Sequence, residues 1–286
     1  MSEGQPERGW QAELQLGFAR DGARTALVER RHSGPLRVQR PFSPEGPDVC
    51  HVYLLHPPGG LVSGDELHVR AQVQDGAHAI LTPHGAAKLY RSCAATCPAR
   101  QVQSFGVHGA GVLEWLPQET IAFRGARAQL STRVELAEHA RFIGWEIVCL
   151  GRPAAGERFD EGSLWPSFEL LRAGKSSYLE RGQYAGGQAV LDAPWGLAGQ
   201  PVSGTLICAA PAAHGCVEVA RAALAEVLHD AGAQGRAAVS GWDDLLVARY
   251  LGPSSEVARN VLSAIWAAVR PGLLGRPACA PRIWRT

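Results

Sequence analysis

The chain has 286 residues, which is long enough to bury a substantial core in one large domain or two smaller ones. Its 28 Lys and Arg residues nearly balance 27 Asp and Glu residues, so the overall charge gives no reason to expect nucleic acid or a membrane surface as a partner. The N-terminus lacks a basic region followed by an apolar run, and no apolar stretch reaches about 18 residues. We therefore expect a cytoplasmic protein without a membrane span. The seven cysteines are an odd number, which favours reduced thiols over a disulfide framework.

The first third of the chain has the alternation of polar and apolar residues that is typical of strands. Residues 13–19 and 24–31 alternate on either side of an Asp-Gly turn, which predicts an opening hairpin. Residues 49–55 are almost entirely apolar, which predicts a strand buried on both faces. Residues 66–73 and 77–82 again flank an Asp-Gly turn, and we interpret them as a second hairpin.

The middle of the chain continues this pattern. Residues 101–107, 112–116 and 130–136 alternate, and residues 140–150 form a nearly continuous apolar run interrupted by Glu146. Strands at intervals of roughly ten residues, separated by turn signals, are typical of an all-β sandwich, barrel or solenoid. We therefore expect a mainly β fold.

The C-terminal third adds a hairpin and two helices. Residues 167–172 and 176–181 flank an Ala-Gly pair that is typical of a hairpin turn. Helical periodicity follows in residues 215–230 and 254–270. Ser254 offers an N-cap for the second helix, and the Pro-Gly pair after residue 270 predicts its end.

The organisation of the chain favours one domain. Neither a long hydrophilic linker nor a strict internal repeat interrupts the series of strands. We interpret residues 1–286 as a single domain, with residues 1–12 flexible and both helices inside residues 214–270.

Searches for catalytic or metal-binding motifs leave few candidates. A Gly-Lys-Ser sequence at residues 174–176 resembles the end of a phosphate-binding loop, but the upstream glycine of such a loop falls at Glu169, which argues against a nucleotide site. The sequence has no Gly-x-Ser-x-Gly nucleophile elbow, so an acyl hydrolase is not expected. Cys93 and Cys97 have a spacing that could share a soft metal ion. A second ligand pair is missing, however, and sequence variation in a surface turn is the favoured interpretation.

Five carboxylates are candidates for general acid or base chemistry: Asp65, Glu119, Glu146, Glu157 and Glu180. Glu146 is the most informative of them because it interrupts an apolar run. A carboxylate in such surroundings must be paired, hydrated or used, since burying an unpaired charge is costly. Pairing with an arginine is the favoured structural explanation.

Several separate motifs, in order along the chain, resemble a single family. They include His-Ser-Gly-Pro-Leu at residues 32–36, His-Pro-Pro-Gly-Gly at 56–60, Trp-Leu-Pro-Gln-Glu-Thr-Ile at 115–121, Trp-Glu-Ile at 145–147 and Pro-Arg-Ile-Trp at 281–284. The chain is similar, from about residue 13 to its end, to the urease accessory protein UreD family, which is named UreH in some systems. The motif residues are His56, Pro57, Gly59, Gly60, Lys88, Tyr90, Arg91, Gln118, Arg152, Glu157, Arg282 and Trp284.

This resemblance implies a non-enzymatic scaffold with an elongated, solenoid-like or sandwich-like all-β fold and two helices near the C-terminus. It implies that the chain binds UreF, which recruits the GTPase UreG, and that the assembly docks on the urease apoprotein. The family is associated with delivery of Ni²⁺ to the urease dinuclear site, and an internal water-filled path is implied for the ion. The resemblance implies no stably bound cofactor.

A path for Ni²⁺ must attract the ion without trapping it. Separated carboxylates and hydroxyls suit this task better than a tight His or Cys cluster. We expect the path to follow Asp65, Thr82, Glu119, Glu146 and Glu180, with Asp65 and Glu146 as its main members. The structural alternative is that Asp65 caps its Gly-containing turn and that Glu146 pairs with an arginine.

Two further hypotheses concern binding surfaces. The apolar stripe around Trp266 in the C-terminal helix is a candidate contact for UreF, although core packing is the default interpretation of such a stripe. The alternative function is a β-rich small-molecule hydrolase or binding protein that uses a pocket around His56, Asp65 and His84.

Overall fold

The computed structural model describes residues 9–92, 97–230 and 235–285, and nearly half of them lie in strands. The strands in chain order are β1 (Gln11–Asp21), β2 (Arg24–Ser33), β3 (Arg37–Val38), β4 (Val49–Leu55), β5 (Glu66–Val73), β6 (His78–Pro83), β7 (Ala87–Leu89), β8 (Ala99–Val107), β9 (Val112–Trp115), β10 (Thr120–Ala122), β11 (Arg127–Leu136), β12 (Arg141–Leu150), β13 (Ser163–Arg172), β14 (Lys175–Arg181), β15 (Tyr184–Ala185), β16 (Val202–Ala209), β17 (Arg236–Trp242) and β18 (Leu245–Gly252). The helices are α1 (Ala189–Asp192), α2 (Val217–Asp230) and α3 (Ser255–Leu274).

The strands form two large sheets, and the chain alternates between them. The first sheet has the order β14-β13-β11-β8-β5-β1-β2, with β15 attached to β13. The second has the order β17-β18-β16-β12-β9-β6-β4-β3. From β4 to β13 the long strands fall alternately in the two sheets, and neighbours within each sheet are parallel. The central part is therefore a coil of strands, and the predicted mainly β fold with helices near the C-terminus is confirmed.

The predicted hairpin of residues 66–73 and 77–82 is wrong. β5 belongs to the first sheet, where it pairs with β1 and β8, and β6 belongs to the second, where it pairs with β4 and β9. The turn between β5 and β6 carries the chain from one sheet to the other. The Asp75 carboxylate accepts a hydrogen bond from the Ala110 N–H at 2.6 Å, which joins this turn to the next turn of the coil. Alternation predicts which face of a strand is buried, but it does not identify the neighbouring strand.

The predicted local hairpins are confirmed. β1 and β2 are antiparallel, as are β13 and β14. The flexible segment predicted for residues 1–12 is shorter at its C-terminal end, because Gln11 and Ala12 already belong to β1 and Ala12 is buried. Residues 1–8 lie outside the described residues, so the rest of that prediction is untested.

The second sheet has apolar side chains on both faces, which explains the continuous apolar runs in its strands. In β12, Phe142 and Val148 face the core between the two sheets. Trp145 and Ile147 face the opposite side, where they pack with residues of α3. The predicted double burial of residues 49–55 is confirmed in the same way, since six of the seven residues of β4 are buried.

Helix α3 covers the outer face of the second sheet. Ser254 caps it as predicted, because its Oγ accepts a hydrogen bond from the Val257 N–H at 3.3 Å. The predicted end after residue 270 is wrong: the helix continues through Pro271 to Leu274 and ends at Gly275, whose φ of 70° lies in the left-handed region. A proline removes one backbone hydrogen bond, while burial of Leu274 and its neighbour stabilises the extra turn.

The helix predicted for residues 215–230 is present as α2, whereas α1 and the edge strand β17 were not predicted. Trp266 of α3 is only 1% exposed and belongs to the core, so the hypothesis that it forms a surface contact with UreF is wrong for the folded chain. None of the described helices is long and apolar enough to cross a membrane.

Candidate functional site

The core between the two sheets contains a short polar seam, which we define as Gln103, Thr132 and Glu146. Thr132 lies on β11 in the first sheet, and Glu146 lies opposite on β12 in the second. The Thr132 hydroxyl forms a short hydrogen bond with Glu146 Oε1 and lies 3.1 Å from Gln103 Oε1. A hydroxyl has one proton, so Thr132 donates to one of these two oxygens at a time. The seam therefore links the two sheets through a hydroxyl that can serve either neighbour.

The Glu146 carboxyl group is held in an unfavourable environment for a charge. Burial raises its pKa to about 7, the hydrogen bond from Thr132 counteracts part of this effect, and the negative charge of Glu180 raises the pKa further. Among the described residues Glu146 is hydrogen-bonded to the Thr132 hydroxyl and forms no ion pair with an arginine, so the expected pairing with an arginine is wrong. Glu146 is therefore poised to exchange a proton near neutral pH.

Glu146 and Glu180 share one small cavity. Its volume is about 50 Å³, which is enough for a water molecule or two, and Thr205 and Ser203 add hydroxyls to its wall. Glu180 lies at the outer end, where its carboxylate accepts a hydrogen bond from the Tyr178 hydroxyl and lies 3.4 Å from Arg249. Glu180 also lines an open groove of about 780 Å³. The two carboxylates therefore mark an inner and an outer position along one route to the surface.

The other end of the seam meets a larger cavity of about 470 Å³. Gln103 and Trp115 line its inner part, and His56, His84 and Lys88 also line it. Burial lowers the pKa of His56, and the negative charge of Asp65 offsets part of that effect. Gln103 thus connects this cavity, through Thr132, with Glu146 and the smaller cavity.

Three of the predicted path residues lie elsewhere. The Asp65 oxygens accept hydrogen bonds from the backbone N–H groups of Trp10 and Val62, both at 2.8 Å, so this carboxylate caps its turn. The Thr82 hydroxyl donates to the Leu116 carbonyl at 2.6 Å. Asp65 and Thr82 are therefore engaged in hydrogen bonds outside the seam.

Glu119 lies on the α3 side of the second sheet, away from the seam. Arg259 of α3 lies 3.4 Å from the Glu119 carboxylate and donates to Gln118 at 2.7 Å. Glu119 is thus paired with an arginine, as we expected for Glu146. The structure brings Glu146 and Glu180 together and separates Asp65 and Glu119 from them.

The outer face of the second sheet buries a charged network that the sequence reasoning missed. The Glu114 carboxylate is fully buried and accepts hydrogen bonds from Trp266 Nε1 at 2.6 Å and from Arg270 at 3.0 to 3.1 Å. His78 Nε2 lies 2.7 Å from the same carboxylate. Arg270 also contacts Glu45 at 2.8 Å. Burial would raise the pKa of Glu114, but the hydrogen bonds and positive charges of His78 and Arg270 lower it.

Glu45 extends this network to the N-terminal part of the chain. Burial would raise its pKa, but hydrogen bonds from His51 and Arg270, together with their positive charges, lower it to about 2. His51 Nε2 lies 2.7 Å from Glu45 Oε1. We name Glu45, Glu114, His51, His78 and Arg270 the helix-side network.

The motif residues that carry the family resemblance form contacts between distant parts of the chain. Trp145 Nε1 donates to the Pro117 carbonyl at 2.7 Å, and the Trp284 ring packs against the rings of Trp145 and Trp266 at 5.5 and 5.6 Å between centroids. A Cβ atom at Gly60 would lie 2.4 Å from the Tyr90 ring, so that corner requires glycine. These motifs therefore hold the coil and its C-terminal helix together.

Other motif residues lie at the coil corners or the cavity. His56, Pro57, Gly59 and Lys88 line the larger cavity. Arg152 forms an ion pair with Glu157 at 2.5 Å, and its guanidinium lies 4.6 Å from the centre of the Phe123 ring. The remaining members are Arg91, which lies 3.2 Å from Glu161, and Arg282, which begins a short 3₁₀ helix.

Metal-ligand clusters are not formed by the described side chains. Within residues 9–92, 97–230 and 235–285, no group of three or more His, Cys, Asp or Glu side chains is arranged to hold a metal ion. Cys50, Cys149, Cys208, Cys216 and Cys279 form no disulfide among the described residues. Cys93 lies outside the described residues, so the hypothesis of a Cys93 and Cys97 pair is untested.

Gln103 and Thr132 are the seam residues that sequence reasoning missed. A signal for Thr132 was present, because β11 alternates and Thr132 occupies an inward position between the buried Leu130 and Val134. A polar residue at such a position requires a partner in the core. The sequence alone could not show that the partner is Glu146, which lies on the other sheet.

The fold and the site define a β-rich protein whose two sheets enclose cavities connected by a polar seam. The family of the UreD urease accessory protein matches residues 11–285. The chain is 48% identical to the urease accessory protein UreD of Dechloromonas aromatica, over 99% of this chain and 97% of that relative. Similar proteins of the same name from Azoarcus sp. and Pseudomonas aeruginosa are 47% and 44% identical, each over 97% of this chain and 95% of the relative.

This chain belongs to the UreD family of urease accessory proteins. Members of the family are maturation factors and not enzymes, so the alternative of a small-molecule hydrolase around His56, Asp65 and His84 is wrong. The geometry agrees with this correction. His56 and His84 line one cavity, but Asp65 is not among the residues that line it, and both of its oxygens are engaged by backbone N–H groups.

Proposed function

We propose that this urease maturation factor links a UreF/UreG complex to the urease apoprotein in the cytoplasm and passes Ni²⁺ through its interior toward the urease dinuclear site. UreF is the direct partner in this proposal, and UreG associates through UreF. Ni²⁺ is transient cargo and not a resident cofactor. The proposal involves neither nucleic acid nor a membrane.

The observation that carries the proposal is the connected series of polar groups between the two sheets. The larger cavity reaches Gln103, the seam continues through Thr132 to Glu146, and the smaller cavity leads to Glu180 and the open groove. Oxygen ligands that are spaced along a route bind a divalent ion weakly at each point, so the ion can move on.

Within this proposal we assign the path to fewer residues than the sequence suggested. Glu146 and Glu180 remain the principal carboxylates because they share a cavity. Asp65 and Thr82 are assigned to local hydrogen bonds, and Glu119 to its pairing with α3, so they are not needed as ligands. Passage of a cation past Glu146 is favoured when its carboxyl group is ionised, which requires loss of a proton whose pKa is about 7.

The test is urease activation with Glu146→Gln and Glu180→Gln, alone and together, in cells that also produce UreF, UreG and urease under limiting nickel. We expect the double variant to assemble with its partners but to leave urease with much less nickel. The nickel content of purified urease and its activity are both measured. Glu169→Gln is the matched control, because Glu169 is a partly exposed carboxylate of β13 that pairs with Arg133. Normal nickel content with the double variant in an intact complex would contradict the proposal.

A further inference from the structure

The two sheets end at different positions at one side of the molecule. The first sheet ends at β14, whereas the second continues through β18 to β17. Tyr178 and Glu180 of β14 contact Arg249 of β18, so β14 lies over β18. Within the described part of the chain no strand of the first sheet lies beyond β14. The inner face of β17 is consequently left without a strand opposite it.

The side chains of β17 agree with this arrangement. Ala237 and Val239 pack on the helix side of the second sheet. Because successive side chains of a strand point to opposite faces, Arg236, Ala238 and Ser240 point to the inner side, and all three are exposed. An inner face elsewhere in the molecule is covered by the first sheet. Here it forms one wall of the open groove of about 780 Å³.

The opposite wall of the groove is the open edge of β14. Strand β14 is hydrogen-bonded to β13 on one side and is the last strand of its sheet on the other. An open edge presents unpaired backbone N–H and C=O groups, which are a template for an added strand. Leu179 of β14 and Trp195 at the rim are 48% and 76% exposed, so they add apolar side chains to the groove.

The groove carries a positive charge. Arg181 and Arg236 are exposed, line the groove and have no ion-pair partner among the described residues. Arg249 and Glu180 line it as well and already contact each other. Two unpaired guanidinium groups beside an open strand edge favour carboxylate side chains on whatever binds there.

We infer that an extended, acidic segment of a partner protein adds to the open edge of β14 and lies over β17. Its backbone completes the first sheet, its carboxylates meet Arg181 and Arg236, and its apolar side chains cover Leu179 and Trp195. This mode of recognition combines backbone hydrogen bonds for affinity with side-chain contacts for specificity. Since the groove contains Glu180, such a segment also covers the outer end of the route through the interior. That last consequence rests on the proposed function, whereas the docking surface does not.

The direct test is hydrogen exchange of the full chain, alone and in separate complexes with UreF and with the urease apoprotein. We expect the backbone amides of β14 (Lys175–Arg181) to exchange much more slowly in one of the two complexes. Unchanged exchange of β14 in both complexes would overturn the inference. Slowing that depends on the concentration of the free chain would identify a second copy as the occupant and would also overturn it.

Charge reversal tests the chemistry of the partner. Arg181→Glu combined with Arg236→Glu is expected to weaken the same complex by about tenfold or more at low salt. Arg30→Glu is the matched control, because Arg30 is an exposed arginine of β2 at the other end of the first sheet. Equal affinities for the charge-reversed and control variants would show that the docking segment is not acidic.

The two proposals can fail separately. Glu146→Gln leaves the groove intact, so it is expected to keep the slow exchange of β14 in the complex even if nickel transfer is lost. Lost nickel transfer in Glu146→Gln without any protection of β14 would overturn the docking inference alone. Protection of β14 together with normal nickel transfer in the Glu146 and Glu180 variants would contradict the internal path alone.

Discussion

Each face of the second sheet carries a carboxylate among apolar side chains, and the surroundings of the two carboxylates have opposite effects on their pKa values. On the helix side, Glu114 accepts a hydrogen bond from the Trp266 indole, and His78 and Arg270 lower its pKa despite complete burial. On the inner side, Glu146 has the Thr132 hydroxyl and a small cavity, and its pKa rises to about 7. A buried carboxylate with full compensation is tolerated in the core, whereas one without it is costly and points to a role in function.

The largest effect is expected from breaking the helix-side network. Arg270→Met leaves Glu114 buried without its arginine and also removes one of the partners of Glu45. Removal of one member of a buried ion pair typically lowers the free energy of unfolding by about 3–5 kcal/mol. Urea denaturation near neutral pH measures the loss.

Arg259→Met is the matched control for this experiment. Arg259 also lies on α3 and contacts Glu119, but its side chain is 30% exposed. The expected loss is about 1 kcal/mol or less. Equal losses for the two arginines would contradict the distinction between the buried network and the partly exposed pair.

The next prediction is a gain in the free energy of unfolding rather than a loss. Glu146→Gln is expected to stabilise the protein at pH 8 by about 3 kcal/mol, since the pKa of Glu146 rises from 4.5 to about 7 on folding. Between these two values the folded state binds more protons than the unfolded state, so the stability of the unmodified protein falls as the pH rises. The benefit of the substitution should therefore be absent below pH 4.5 and complete above about pH 7.

Thermal unfolding of both proteins between pH 4.5 and 8 measures this difference. Glu169→Gln is a control on an exposed ion pair of the first sheet, and it should show no comparable dependence on pH. A difference between Glu146→Gln and the unmodified protein that is constant over this range would show that the pKa of Glu146 is not raised.

A smaller effect is expected when the hydroxyl of the seam is removed. Thr132→Val deletes the donor to Glu146, so the pKa of Glu146 should rise further and the free energy of unfolding at pH 8 should fall by about 1–2 kcal/mol. Carbon-13 NMR titration of the carboxyl group reports the pKa directly. Ser131→Ala, on the other face of the same strand, should leave the titration unchanged. A lowered pKa in Thr132→Val would contradict the assigned hydrogen bond.

The smallest change in stability is expected from an ion pair at the surface. Arg152 and Glu157 form an ion pair, but Arg152 is half exposed and screened by solvent. Arg152→Ala should change the unfolding midpoint only slightly, and the difference should vanish in about 1 M salt, where the screening length is about 3 Å. A change that persists in high salt would show that stacking of Arg152 on Phe123 matters more than its charge.

Local signals in the sequence predicted those parts of the fold that depend on neighbouring residues. The hairpin of β1 and β2 follows from its turn residues, and the cap at Ser254 from the helix that follows it. The neighbours of β5 and β6 were not predictable, because alternation is the same in a hairpin and in a coil. The end of α3 was misplaced because the stabilising contacts of Leu274 are made by distant residues.

Local signals in the sequence also predicted only part of the candidate functional site. Glu146 was predictable as a candidate because a carboxylate in an apolar run is conspicuous. Glu114 stands in a similar run, Val-Leu-Glu-Trp, and its compensation by Arg270 comes from 156 residues further along the chain. The sequence can therefore identify a buried carboxylate, but only the tertiary structure shows whether a cation neutralises it.

The contact between Arg270 and Glu45 has a consequence for the order in which the chain matures on the ribosome. The two residues are 225 positions apart, and α3 follows all the described strands along the chain. Until α3 has emerged, Glu45 and Glu114 lack their shared cation, and the outer face of the second sheet remains exposed to water. The helix-side network therefore cannot form until Arg270 of α3 has joined the strands that precede it.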